Sequence, residues 1–396
     1  MCFNPWSVLS GIFCGLWGNR GKKMSNYNYF SAFLLAVIFA LVIEYLPSPN
    51  IIIDANLDKI FKTHGIEIVY RVSLTMFASF TCMFVITLFW PVLHHMFLLV
   101  FLLLVALFAY LFVWKLKSAS FLLKYRSFAR GASFLYLVLQ AMSLVDMSFT
   151  FHDWLIRKVD ETNQRYRYTD KTCCCANQFK SLYITVSLLF GLLSLGGCIS
   201  FYFLFHVRGE SATFPTITIS ITLLLGILCC FLSLSEKINR GLLPPTTFFL
   251  VSTFYLLLAL LANPRSNPFK TFSNYGVTAI NVILLVISGY WMAFRIRSQP
   301  KEEETLVKDA EKAEPTIPDE NGFEPAIFNA CMALTSVYLA MLASAWYTGD
   351  ISIRPEAVKD NTSMFTAWVF TGSVWAGYAL FLYVLIIPLV NDSRTY

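Results

Sequence analysis

Ten apolar stretches, separated by mostly short polar intervals, organise this chain. They run over roughly 29–46, 66–90, 92–113, 129–152, 179–205, 214–235, 246–262, 275–294, 324–347 and 365–390. A helix needs about 20 apolar residues to cross a hydrocarbon core of about 30 Å. The pattern therefore predicts an all-α polytopic membrane protein with about ten transmembrane helices. The long run from 66 to 113 has one break, Trp90-Pro91. Proline lacks an amide hydrogen, which costs nothing at a helix start and a hydrogen bond inside one, so Pro91 opens the third helix. The seventh segment is short and ends at Asn263-Pro264.

None of the intervals is long enough to fold as a separate domain. The longest, SQPKEEETLVKDAEKAEPTIPDENG over 298–322, is charged, contains proline and lacks aromatic residues. That composition buries too little to pay for ordering, and it reads as an acidic cytoplasmic linker. Residues 1–28 read as an interfacial N-terminal segment rather than a cleaved leader, because Arg20, Lys22 and Lys23 follow the apolar residues instead of preceding them. Helices 1–8 then occupy 29–297, and helices 9 and 10 occupy 323–396.

Composition agrees with the pattern. Of the 396 residues 57% are hydrophobic and 14% charged, against about 45–50% and about 25% in soluble domains. The net charge of +6 comes with no long basic block, so a nucleic-acid partner is not expected. The ten cysteines form no CxxC pair matched by a second Cys or His pair, so no structural metal or other cofactor is expected. The cluster Cys173-Cys174-Cys175 abuts an apolar run, where thiols either stay free or take palmitoyl chains.

Lysine and arginine near helix ends orient the chain. A cytoplasmic N-terminus places Arg20, Lys22, Lys23, Arg157, Lys158, Arg165, Arg167, Lys171, Lys237, Arg240, Arg295 and Arg297 inside, with both termini cytoplasmic. Lys115, Lys117, Lys124, Arg126 and Arg130 then fall on the far side, against the rule. Asn361 in Asn-Thr-Ser would be an exofacial glycosylation acceptor, while Asn391 in Asn-Asp-Ser would be cytoplasmic.

The fourth segment carries the candidate chemistry. In LVLQAMSLVDMSFTFHDW, residues 137–154, polar side chains recur on an otherwise apolar helix. At about 100° per residue, Ser143, Asp146, Thr150, Asp153 and Arg157 fall within an arc of about 80°, and Gln140 lies just beside it. A carboxylate at mid-membrane costs about 2.5–3.5 kcal/mol on insertion scales, so it faces protein, a cation or a wet path rather than lipid tails. Asp146 could pair with Arg71, with His94 or His95, or with a cation from 115–130. It could equally fasten two helices or line a hydrophilic path. His94 and His95 point about 100° apart and make a poor metal pair. Gly191, Gly196 and Gly197 are read as sites of close helix packing. Enzyme signatures such as HExxH, GxSxG or a phosphate-binding Gly-rich loop do not occur, so the chain is expected not to be an enzyme.

The stretch LQAMSLVDMSFTFHDWLIRKVDE resembles the signature of the serine incorporator (Serinc) family, with Gln140, Leu144, Asp146, Thr150, Phe151, Asp153, Lys158 and Glu161 falling on it. Three further stretches are similar. Gly241-Leu242-Leu243 with TFYLLLALLANP (Tyr255, Asn263, Pro264) matches the seventh helix. ALTSVYLAMLASAWY (Ser336, Tyr338, Met341, Trp346, Tyr347) matches the ninth. WVFTGSVWAGYALFLYVLIIPLVNDSRTY matches the C-terminus through Trp368, Ser373, Trp375, Gly377, Leu385, Pro388 and Arg394, and Tyr70 fits the second helix. The chain departs from the family at its cysteine-poor N-terminus, in a 47–65 connection without cysteine, and at His152 and Ala345, where the family has asparagine.

The resemblance implies two helical sub-bundles crossed by a long diagonal fourth helix, 128–161, with a lipid-accessible groove between the sub-bundles. It implies a role in handling membrane phospholipids, either moving them between leaflets or aiding serine incorporation into phosphatidylserine and sphingolipids beside lipid-synthesis enzymes. It also implies the plasma membrane or endomembranes as location. Two other readings stay open: a secondary transporter of serine or another small polar solute, and a structural adaptor subunit. A homo-oligomer is compatible with each.

Overall fold

The computed structural model describes residues 19–45, 55–95, 97–115, 119–167, 175–206, 213–235, 238, 241–263, 275–295, 324–343 and 356–390. Among these the regular structure is helical, without strands. The α-helices are α1 Asn19–Tyr45, α2 Ala55–Phe89, α3 Leu102–Ala109, α4 Ala119–Arg167, α5 Cys175–Phe201, α6 Thr213–Ser233, α7 Leu243–Ala262, α8 Tyr275–Arg295, α9 Glu324–Ala343 and α10 Glu356–Val390. Seven contain stretches long and apolar enough to cross a membrane. Shorter apolar helical stretches occupy Asn26–Val42, Leu99–Phe112 and Ala279–Phe294. Together they account for all ten predicted segments. The linker 298–322 and the first eighteen residues lie outside the described residues.

Helix boundaries follow the sequence where a breaker is present. α2 stops at Phe89, and Pro91–His95 forms a 3-10 turn, as the Trp90-Pro91 break requires. The third segment is then wound as π-helix at Phe97–Phe101, α-helix in α3 and π-helix again at Tyr110–Lys115. The fourth segment is much longer than its apolar core. α4 spans 49 residues, about 74 Å at 1.5 Å per residue, against about 30 Å of hydrocarbon. From Ser133 to Arg167 it holds neither proline nor glycine, so nothing stops it where the apolar residues give way to charge.

The chain divides into two compact units, Met1–Ala132 with Leu285–Ser344 and Ser133–Leu284 with Ala345–Tyr396. In the first, α2 packs on α9 and α1. Its core is aromatic: Tyr29, buried on α1, has Phe80, Phe101 and Phe328 around it, and stacks on His94 at 4.6 Å.

In the second unit α7 is the central helix, flanked by α5, α6 and α10. Pro244 and Pro245 sit in its first turn, where their missing amide hydrogens are not needed. Its free N–H groups at Leu242 and Leu243 reach the Tyr183 hydroxyl at 2.8 and 3.3 Å. The preceding Gly241 has φ +76°, a conformation that favours glycine. A Cβ there would also strike the His152 ring and Tyr183.

The glycines of α5 differ from one another. A Cβ at Gly197 would come within 2.9 Å of Thr253 on α7, so this residue does permit close packing. At Gly191 the nearest contact would be an ordinary 3.6 Å to Thr246. Gly196 faces open space within 4 Å, and the packing role read for it from sequence is corrected. The outer face of α5 exposes Leu188, Leu192 and Ile199, as suits a helix turned toward hydrocarbon.

Candidate functional site

The α4 stripe lies in the second unit, and its burial falls steadily along the helix. Gln140 is fully buried and Ser143 is buried. Asp146 and Thr150 are half-buried, and Asp153 is exposed. Gln140 acts as a fastening: its Oε1 accepts a hydrogen bond from the Tyr255 hydroxyl of α7 at 2.8 Å. Its Nε2 has no hydrogen-bond partner among the described residues. One turn on either side of Asp146 the helix carries the hydroxyls of Ser143 and Thr150. Thr150 Oγ1 donates back to the Asp146 carbonyl at 3.1 Å, a local bond that keeps its hydroxyl on the stripe. At the exposed end Arg157 Nε donates to the Asp153 carbonyl at 3.4 Å, and Lys158 pairs with Glu161 at 2.7 Å.

Beside the stripe, α4 and α7 share a second polar link that the sequence pattern did not single out. The hydroxyls of Ser148 and Thr247 lie 3.0 Å apart. Near the same end His152 is buried against Tyr183, with ring centroids 5.3 Å apart. The sequence signal for this corner was the departure to histidine at 152 together with Gly241.

Arg71 lies on α2 in the first unit, where its Nη1 donates to the Phe112 carbonyl at 2.7 Å. His94, read from sequence as a poor metal ligand, is instead the hub of a buried polar network in that unit. Its Nε2–H donates to Asn26 Oδ1 at 2.8 Å, and its Nδ1 accepts from Asn329 Nδ2 at 3.4 Å. Asn329 Nδ2 also lies 3.4 Å from Thr87 Oγ1, and the Tyr29 hydroxyl donates to the His94 carbonyl at 2.9 Å. These contacts fit a neutral imidazole. Asn26, Thr87 and Asn329 carried no sequence motif; each is a lone polar residue on an apolar helix.

Among the described residues no group of three or more His, Cys, Asp or Glu side chains is placed to hold a metal ion. Asn361 falls on α10, and Cys175 opens α5, with both side chains outside the described residues; Cys173 and Cys174 lie outside them altogether.

The family profile described as "Serine incorporator (Serinc)" matches residues 8–321 and 292–394, nearly the whole chain. The chain belongs to the serine incorporator family. Curated relatives include "Serine incorporator 2" of Bos taurus, 22% identical over 306 residues, covering 67% of this chain and 63% of the relative. "Serine incorporator 3" of Mus musculus is 21% identical over 323 residues, covering 67% and 65%. "Serine incorporator 2" of Homo sapiens is 22% identical over 309 residues, covering 67% and 63%. The chain thus spans less than two thirds of the length of these serine incorporators. The first profile match includes all of α4 and its stripe, and the second includes α9 and α10.

Proposed function

We propose that this serine incorporator family member is a non-enzymatic lipid handler that moves phospholipid headgroups through the membrane along the α4 stripe. Ser143, Asp146, Thr150 and Asp153 provide the polar lane, and the acyl tails stay in hydrocarbon. The observation that carries this reading is the half-buried state of Asp146 on a membrane-length helix. A lane needs its carboxylate accessible from beside the helix, as a half-buried Asp146 is. Gln140, fully buried and bonded to Tyr255, holds the inner end of the lane rather than lining it.

The relatives are named for serine incorporation. The lane suits a serine headgroup, whose ammonium would meet Asp146 and whose polar atoms would meet the Ser143 and Thr150 hydroxyls. In this reading phosphatidylserine is the preferred cargo, the protein resides in the plasma membrane or endomembranes, and both termini are cytoplasmic.

The test is bleaching of fluorescent phosphatidylserine by dithionite in liposomes carrying the purified protein. Protein-containing vesicles should lose fluorescence beyond the outer-leaflet half. Asp146→Asn should slow that phase about tenfold, the effect of one lost interaction of about 1.4 kcal/mol. Bleaching no faster than in empty vesicles would remove the proposal.

A further inference from the structure

His94 stands in the turn Pro91–His95, between α2 and the third apolar segment. α1, α2, α9 and the π-turn Phe97–Phe101 pack on that turn. The two ring nitrogens each meet a primary amide, Asn26 on one side and Asn329 on the other. The ring also stacks on the face of Tyr29, with planes 14° apart, and meets Phe328 edge-on at 5.8 Å. The two amides are turned in opposite senses. Asn26 offers its oxygen, which accepts from Nε2–H at 2.8 Å. Asn329 offers its Nδ2, 3.4 Å from both His94 Nδ1 and Thr87 Oγ1. Asn329 is fully buried, and its Oδ1 has no hydrogen-bond partner among the described residues.

A buried acceptor without a partner is costly, and this one belongs to the amide that already faces His94 Nδ1. A half-turn of that amide about its Cβ–Cγ bond exchanges Nδ2 and Oδ1. Nδ1 then faces an acceptor and has a place for a proton of its own. The turn gives up the long contact to Thr87, whose Oγ1 keeps its 2.7 Å bond to the Met83 carbonyl. One atom of the amide lacks a partner in either state, so the exchange itself costs little. The gain is a charge-assisted hydrogen bond on each side of the ring and a cation over the Tyr29 face. Among the described residues the titratable side chain set against the ring is Tyr29. Arg71 of α2 reaches the Phe112 carbonyl instead, Glu324 of α9 is exposed, and the thiols of Cys82 and Cys331 are half-buried.

We propose that His94 is a proton-binding site. The neutral ring is held as the structure shows it. On taking a proton from water at Nδ1, the ring keeps Nε2–H on Asn26 Oδ1 and donates Nδ1–H to Asn329 Oδ1, the Asn329 amide having turned. Asn26 lies on α1 and Asn329 on α9, so the bound proton tightens the link that the turn makes between these helices. The site lies wholly in the first unit and holds whether or not headgroups travel along the α4 stripe.

Hydrogen–deuterium exchange at histidine C2, followed by mass spectrometry on the full chain in detergent, tests it, because it reads the protonation of each of the five histidines separately. His94 should take up a proton between about pH 8 and about pH 5, where imidazole titrates. Asn329→Leu removes the turned acceptor and should lower proton affinity at His94 about tenfold, the effect of one charge-assisted hydrogen bond. Asn26→Ala, at a half-buried position, removes the other acceptor and should lower it in the same direction, which keeps the test decisive should Asn329→Leu fail to fold. Thr87→Val touches the neutral arrangement alone and should not lower it. A His94 that stays neutral throughout that range, or a proton affinity indifferent to both amides, would overturn the proposal.

Discussion

The His94 network of the first unit and the α4 stripe of the second are two ways of placing polar side chains in an apolar helical protein. Around His94 the polar atoms are buried and turned on one another. His94, Asn26, Asn329 and Thr87 come from four separate chain segments, so each bond ties distant parts of the sequence together. Along α4 the polar residues share one helix, and their exposure rises from Gln140 to Asp153. The first arrangement spends polar groups on fastening helices. The second presents them to whatever lies beside the helix. A buried polar group without a partner costs about 1–3 kcal/mol, so the first set should govern stability and the second should govern transport.

The sharpest way to break this contrast is His94→Leu. It removes the partner of Asn26 Oδ1 and one of the two contacts of Asn329 Nδ2, which keeps Thr87, so the expected cost is about 1–3 kcal/mol. Thermal unfolding in detergent should show a drop of several degrees, while the molecules that remain folded move lipid at the normal rate. Gln140→Leu should fall between the two classes. It removes the Tyr255 hydrogen bond but also the Nε2 that lacked a partner, so the expected loss is about 1 kcal/mol, read as a small shift in melting temperature. Asp153→Asn, at the exposed end, should change stability by no more than about 0.5 kcal/mol. Lipid movement should slow by no more than about fivefold, since an exposed charge is worth under about 1 kcal/mol.

The sequence made the stripe visible because its members lie on one helix, where a period of 3.6 brings them to one face. The same regularity revealed the ten segments and the break at Trp90-Pro91. The His94 network was not legible, because Asn26 and Asn329 lie 68 and 235 residues from His94 and no local period links them. The full length of α4 was legible only in part: the resemblance implied 128–161, but the apolar window stopped at 152, because charge at 119–128 and 153–167 ends an apolar window without ending a helix. Gly197 and Gly196 show the limit of residue type as a guide. Adjacent on one helix, they point about 100° apart, and only Gly197 meets a neighbour.

The central claim, that Asp146 serves passage rather than fastening, is tested most directly by measuring Asp146→Asn in two ways on the same preparation. Melting temperature in detergent and dithionite-accessible phosphatidylserine in liposomes should separate. Stability should stay within about 1 kcal/mol of the parent protein, and lipid movement per folded molecule should fall about tenfold. A large loss of stability with unchanged movement per folded molecule would make Asp146 a bolt between helices and contradict the account.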